Sequence, residues 1–233
     1  MLDTRFPRIV GDIGNAASFD YPVIFRKMAG IGSSDAVTTH PDRPRVLAAL
    51  KANAEALAAE GAVGLSTSCG FLALYQDDLA SVSPVPVATS ALLLIKQLKG
   101  RRVGVITASA KNLTAAHFKA VGAPTDTPFV GLPEDSSFAG TFLRNGLTLD
   151  RDVVEREVVA SGRDLVAKHP GIDAVVLECT NLPPYKKALQ QALGLPVHDV
   201  LDLLRGFHAG LTAPTHAPQN VNDRIHSPKP GTW

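Results

Sequence analysis

The sequence lacks three features that would each assign it to a broad class. It has only two cysteines in 233 residues and no C-x-x-C pair, which excludes a disulfide-built fold and predicts no metal site. Lys and Arg number 23 against 22 Asp and Glu, with no run of one sign, so neither nucleic acid nor an anionic membrane is an expected partner. The densest apolar cluster, residues 91–95, is far too short to span a bilayer.

The composition is that of a folded globular protein. Hydrophobic residues make up 45% of the chain and charged residues 19%, well outside the disordered range. The first seven residues contain no apolar segment of the kind that signal peptides carry, so the expected location is cytoplasmic. The stretch 215–233, rich in proline and without periodicity, is predicted to be an extended tail.

Short apolar runs alternate with amphipathic stretches, a pattern typical of an α/β fold with doubly wound parallel sheets. A helix is predicted from Pro44 to near Gly61, a second over 150–168, and a third that Pro183 opens and Gly194 ends. The predicted strands are residues 8–10, 62–67, 85–88, 102–107, 173–178 and 195–198.

The chain repeats one arrangement around each cysteine. Cys69 and Cys179 each follow an apolar strand, and 17 residues after each comes a Pro-Val pair, at Pro86 and Pro196, that opens another strand. An amphipathic stretch follows each pair. The repetition predicts two α/β halves of similar construction, with one cysteine at the same place in each.

This placement gives the cysteines a chemical role. Ligands of open parallel sheets bind beyond the carboxyl ends of the strands, and a thiol beside a helix N-terminus is expected to have its pKa lowered toward neutrality. Two thiols that reach one ligand from opposite sides can remove an acidic C–H proton from one face and return a proton to the other. The alternative is that both cysteines are inert core residues.

Two segments carry a resemblance to a known family. Residues 66–71 (STSCGF) and 176–181 (VLECTN) are similar to the two cysteine motifs of the aspartate/glutamate/hydantoin racemase superfamily. The resemblance implies two pseudo-symmetric, doubly wound lobes, 1–98 with 205–233 and 99–204, and an active site between them. It also implies that Cys69 and Cys179 are the proton-transfer pair and that no cofactor is needed.

The same resemblance supplies candidate substrate-binding residues. Glutamate racemases carry Asn-Thr after the first cysteine and Thr-His after the second, so Gly70-Phe71 and Thr180-Asn181 here favour a less polar or cyclic substrate. Four of the candidates could instead be turn or helix-cap residues that do not contact the substrate: Asp12, Asn15, Thr107 and Ser109. The full predicted set is Asp12, Asn15, Ser68, Gly70, Phe71, Thr107, Ser109, Thr180 and Asn181.

These observations predict a cofactor-independent racemase or epimerase that acts on an amino acid or a related small carboxylate. One alternative within the superfamily is a decarboxylase or cis–trans isomerase that uses a single cysteine. Another, from a different class, is a two-lobed small-molecule binding protein in which the cysteines only pack. Members of the superfamily often pair, so a homo-oligomer is an open expectation.

Overall fold

Two parallel β-sheets organise the chain in a computed structural model that describes residues 1–212; the predicted tail 215–233 lies outside the described residues. Strands β1 (Leu65–Ser66) and β2 (Val87–Ala88) form a two-stranded sheet. A four-stranded sheet has the order β4-β3-β5-β6. Its strands are β3 (Val103–Thr107), β4 (Phe129–Gly131), β5 (Ala174–Leu177) and β6 (Val197–His198). Every pairing is parallel, which confirms the predicted α/β class with parallel sheets; the division into two lobes stays a prediction.

The helices begin and end at the signals present in the sequence. Asp42 caps the longest N-terminal helix by accepting the N–H of Arg45, and Asp150 caps residues 151–168 in the same way. Gly194 ends another at a positive φ of 64°. The helices are α1 (Ser33–Ala36), α2 (Arg43–Ala59), α3 (Gln76–Val82), α4 (Leu94–Gln97), α5 (Ala115–Ala120), α6 (Arg151–Lys168), α7 (Lys186–Leu193) and α8 (Val200–Thr212).

The repetition around the cysteines corresponds to a repeated strand pairing. Leu65 of β1 lies opposite Val87 of β2, and Val175 of β5 lies opposite Val197 of β6. In each pair the first strand donates an N–H to the proline that precedes its partner, at 2.9 Å. Each cysteine lies four residues after the first member of its pair, so both sulfurs stand at the carboxyl end of a parallel strand.

Short 3₁₀ helices follow both cysteines. Gly70–Tyr75 begins directly after Cys69, and Pro183–Tyr185 lies four residues after Cys179. Two further 3₁₀ helices cover Ala16–Ser18 and Ala91–Leu93, and a π-helical turn covers Ala139–Leu143.

One strand prediction is wrong and one strand was not predicted. Residues 8–10 form no strand: Val10 is 64% exposed, and the N–H of Asp12 turns back to the carbonyl of Ile9 at 3.0 Å, so this segment is a surface turn. The strand β4 lies between Pro128 and Pro133 and contains a glycine, so its sequence shows no continuous apolar run.

The last described helix, α8, packs back against β2 and the 91–93 turn. This contact places residues 200–212 beside the N-terminal sheet. None of the helices within residues 1–212 is long and apolar enough to cross a bilayer.

Candidate active site

Cys69 and Cys179 line the same small cavity. It encloses about 20 Å³, room for about one water molecule. Both cysteines are free thiols and nearly buried, with 7% and 8% of their surfaces exposed. The two cysteine loops therefore meet at one point of the molecule, as the superfamily resemblance implies.

Segments outside the two sheets cover this cavity. They contribute Leu2 and Phe6, α1 with the residue after it, and the end of the π-helical turn. Two hydrogen bonds join these segments: Ser33 Oγ donates to the Phe142 carbonyl at 3.0 Å, and Arg5 N donates to Asn145 Oδ1 at 2.8 Å. At about 20 Å³ the cavity has to widen before it can hold a ligand larger than water.

The surroundings of Cys69 act on the pKa of its thiol in opposite directions. Burial raises the pKa of its thiol to about 12, and the Glu178 carboxylate adds to the rise. The N–H groups of Phe71 and Leu72, at the start of the 3₁₀ helix, act in the other direction but are weaker. The predicted lowering of the pKa is therefore wrong for the closed cavity, because removal from water outweighs the helix N-terminus.

Cys179 lies at the end of a hydrogen-bonded chain of polar side chains. Its Sγ donates to Asn181 Oδ1 at 3.5 Å, and Asn181 Nδ2 donates to Asp12 Oδ2 at 2.6 Å. Asp12 in turn pairs with Arg8, with 2.7 Å between Oδ1 and Nη1. Burial, followed by the charge of Glu178, raises the pKa of the Cys179 thiol well above its usual value.

Glu178 also lines the cavity, and the sequence analysis missed it as a site residue. The side chain is completely buried, and Thr107 Oγ1 donates to its Oε2 at 2.8 Å. Burial raises the pKa of Glu178 to about 7. A charged residue inside the buried run 174–180 was the sequence signal that could have found it.

The structure brings most of the predicted residues together at the cavity. Of the predicted set, Ser68, Cys69, Gly70, Phe71, Cys179, Thr180 and Asn181 line it. Thr180 donates its hydroxyl to the Ser68 carbonyl at 2.8 Å, so this proton joins the two cysteine loops.

Four predicted residues stand outside the lining. Asp12 and Thr107 act from behind it, through Asn181 and Glu178. Asn15 caps the 16–18 helix and donates to the Arg8 carbonyl, as its alternative reading as a cap suggests. Ser109 accepts a hydrogen bond from Asn112 at 3.1 Å.

A larger cavity of about 390 Å³ lies between residues 19–26, residues 61–68 and α8, and Ser68 lines both cavities. Its lining is mostly apolar and includes neither cysteine. Within residues 1–212, no three His, Cys, Asp or Glu side chains are grouped as metal ligands would be. We take the smaller cavity as the candidate active site because it holds the two thiols and the buried carboxyl group.

Comparisons with known proteins agree with this fold. No protein-family model matches the chain. A variant of arylmalonate decarboxylase in which cysteine replaces a glycine, in its sulfate-associated form, superposes with a TM-score of 0.60 at 18% identity. The match covers 82% of this chain and 83% of that one. Allantoin racemase from Klebsiella pneumoniae gives a TM-score of 0.53 at 18% identity, over 74% and 70% of the two chains. The chain has the fold of the aspartate/glutamate/hydantoin racemase superfamily.

The superfamily resemblance drawn from the two cysteine motifs is thus confirmed at the level of the fold. The proteins that are similar in sequence are named lyases rather than racemases. A dimethylsulfoniopropionate lyase from Durusdinium sp. clade D is 29% identical over 88% of this chain and 73% of that protein. Dimethylsulfoniopropionate lyase 5 from Emiliania huxleyi is 30% identical over 91% of this chain, which spans only 44% of that protein's length.

Proposed function

We propose that this chain is a cofactor-independent enzyme that removes the α-proton of a small carboxylate, and that the reaction is elimination of a β-sulfonium group. The substrate proposed is 3-(dimethylsulfonio)propanoate, the compound in the names of the relatives. The observation that carries the proposal is the pair of thiols lining one closable cavity with a buried carboxyl group.

The reaction needs a single base. A cysteine thiolate takes the α-proton, the electron pair of the C–H bond forms the Cα–Cβ double bond, and the Cβ–S bond breaks with its electron pair leaving on sulfur. The products are acrylate and neutral dimethyl sulfide, and the proton stays on the cysteine until it passes to water. Charge and atoms balance without any further reactant.

Cys69 is the better candidate for the base. The N–H groups of Phe71 and Leu72 both favour its thiolate, whereas Asn181 alone plays this part for Cys179. Cys179 already donates its proton to Asn181, so it is placed to remain a thiol.

The substrate carboxylate needs donors near the sulfurs. Ser68 lines the cavity, and its Oγ accepts the N–H of Leu2 at 3.0 Å, which leaves the hydroxyl proton available to a ligand. Such a donor stabilises the charge that develops on the carboxylate as the α-proton leaves.

Racemisation of a small carboxylate is the second candidate. Equivalent loops supply one thiol each to a single cavity, an arrangement that a one-base elimination does not require. In this reaction one thiolate removes the α-proton and the opposite thiol returns a proton to the other face.

One experiment separates these reactions. The purified protein is incubated in D₂O with 3-(dimethylsulfonio)propanoate, with single enantiomers of amino acids and hydantoins, and with an arylmalonate. We expect equal amounts of dimethyl sulfide and acrylate from the first, and no change in the others.

The other outcomes are equally clear. Inversion of an enantiomer with α-deuterium uptake would replace the elimination by racemisation, and release of CO₂ would indicate decarboxylation. Binding without any product would favour the binding protein. The variant carrying Cys69→Ser and Cys179→Ser together is the control, and full activity in it would refute the thiol mechanism.

A further inference from the structure

Glu178 is a completely buried acid that forms no ion pair among residues 1–212. Its Oε1 has no hydrogen-bond partner there. The hydroxyl of Thr107 donates to Oε2, and a backbone hydrogen bond from Ala108 also favours the charged form. Because burial makes this charged form costly, a ligand that brings a positive charge would stabilise it.

Glu178 is one of the residues that line the cavity. Glu178 Oε1 lies so close to Gly70, a lining residue, that a Cβ built there would stand only 2.1 Å from it. Only glycine leaves room for the carboxyl group at this point. The absence of a side chain at position 70 thus keeps the acid beside Cys69.

Aromatic rings make up another part of the wall. Phe6, Phe71 and Phe142 all line the cavity, and the rings of Phe6 and Phe142 meet edge to face at 4.9 Å. Arg8 already stacks over Phe6, with its guanidinium carbon 4.6 Å from the ring centroid. Phenylalanine rings attract cations that have no N–H to donate, such as sulfonium and quaternary ammonium groups.

We propose that Glu178, with the aromatic residues that also line the cavity, binds the cationic end of the substrate. The site then selects small zwitterions over carboxylates of the same shape whose other end is uncharged. This inference rests on the proposed function for the carboxylate end of the ligand. It adds the chemical class of the other end and the residue that recognises it.

The assignment also resolves an electrostatic difficulty of the mechanism. In the closed cavity the charge of Glu178 opposes ionisation of both thiols. A bound onium group neutralises this charge and favours the thiolate of Cys69 next to it. When the C–S bond breaks, the sulfur becomes neutral and its attraction to Glu178 ends, which helps the product to leave.

The test uses two unreactive ligands of the same shape. 3-(Trimethylammonio)propanoate carries an onium group. In its isostere, 4,4-dimethylpentanoate, an uncharged tert-butyl group replaces that group, and this compound is called the neutral isostere. Calorimetric dissociation constants are measured for both with the wild type, Glu178→Gln and Ser81→Ala. We expect the wild type to bind the onium ligand at least about tenfold more tightly. Glu178→Gln should bind both alike, and Ser81→Ala, which loses a hydrogen bond on α3 outside the cavity lining, should retain the preference.

Two results would overturn the inference: a wild type without the preference, or a Glu178→Gln variant that keeps it. Because the ligands do not react, the outcome is independent of the elimination. A wild type that shows the preference but releases no dimethyl sulfide would refute the proposed function alone.

If the Gln variant does not fold, the pH dependence of the wild-type preference decides. The preference should fall as Glu178 is protonated below pH 7, and a constant preference from pH 8 to 6 would overturn the inference. The other groups around the cavity are the two thiols, whose pKa values are raised, and Asp12, which Arg8 pairs. The Met1 amino group, with its pKa lowered to about 6, is bonded to the Arg26 carbonyl; the neutral isostere corrects for its titration.

Discussion

The two cysteine loops, residues 67–76 and 177–186, share a backbone plan but differ in the side chains beside the sulfurs. In both, the cysteine carbonyl accepts an N–H at 3.1 Å, from Leu72 in the first loop and Leu182 in the second. Each loop then leads to a buried tyrosine whose hydroxyl has no partner within residues 1–212. The common plan brings the two sulfurs to one place.

The differences lie immediately before and after each cysteine. Ser68 precedes the first and Glu178 the second, while Gly70 follows the first and Thr180 the second. These four residues fit together across the cavity: Glu178 lies over Gly70, and Thr180 donates to the carbonyl of Ser68. A symmetric frame thus holds an asymmetric site, with the only acid on the second loop, and this asymmetry assigns the two thiols different tasks.

The largest expected effect is a difference in activity between the two single cysteine variants. Cys69→Ser should lower kcat/KM for elimination by about 10³-fold, since the base is lost. Cys179→Ser keeps a hydrogen-bond donor at its position and should lose about tenfold. Steady-state release of dimethyl sulfide measures both, and equal losses would mean that the two loops are functionally alike.

The glycine and threonine at equivalent positions provide a stability comparison. Gly70→Ala places a Cβ against the Glu178 side chain and carbonyl, at 2.1 and 2.2 Å, and should lower the free energy of unfolding by about 3 kcal/mol. Thr180→Ala loses one hydrogen bond and should cost about 1 kcal/mol. Urea unfolding curves give both values, and a neutral Gly70→Ala would contradict the close approach of the loops.

Of the two residues that precede the cysteines, Ser68 and Glu178, only the glutamate should make the free energy of unfolding depend on pH. The pKa of Glu178 is about 7 in the folded protein against 4.5 in the reference state, so the folded state holds the proton more strongly. Stability should therefore decrease as the pH rises from about 4.5 to 7, by about 3 kcal/mol. Glu178→Gln should remove this decrease, and Ser68→Ala should leave it.

Denaturation series at pH 5 and 8 measure the effect. A wild type and a Glu178→Gln variant with the same change in unfolding free energy between these pH values would show that the carboxyl group titrates normally.

The smallest expected effect concerns the cover over both loops. Ser33→Ala removes the hydrogen bond to the Phe142 carbonyl and should raise the rate of thiol labelling by about fivefold, because the cavity opens more often. Ser81→Ala, which loses a hydrogen bond on exposed α3, is the control. An unchanged labelling rate in Ser33→Ala would mean that ligands enter by another route.

The sequence predicted those parts of the molecule that depend on local patterns. Pro44, Asp150 and Gly194 mark helix ends in the sequence, and the structure has helix ends at or next to these residues. The spacing around the cysteines predicted that each follows a strand at an equivalent place, and the two strand pairings show that arrangement.

The rest depends on contacts that no local pattern shows. The pKa of Cys69 rises because the segments covering it come from residues 2–6, 33–37 and 142–143, which are distant in sequence. Glu178 was missed because its partner oxygen and the vacant space at Gly70 come from other elements. Asn15 suits a ligand site by type, but its own helix cap uses its side chain.

The most direct test of the thiol mechanism is the rate of dimethyl sulfide release from 3-(dimethylsulfonio)propanoate carrying deuterium in place of both α-hydrogens. We expect the wild type to release dimethyl sulfide more slowly from this compound than from the unlabelled one, and Cys69→Ser to release essentially none. Undiminished release from the variant that lacks both cysteines would contradict it.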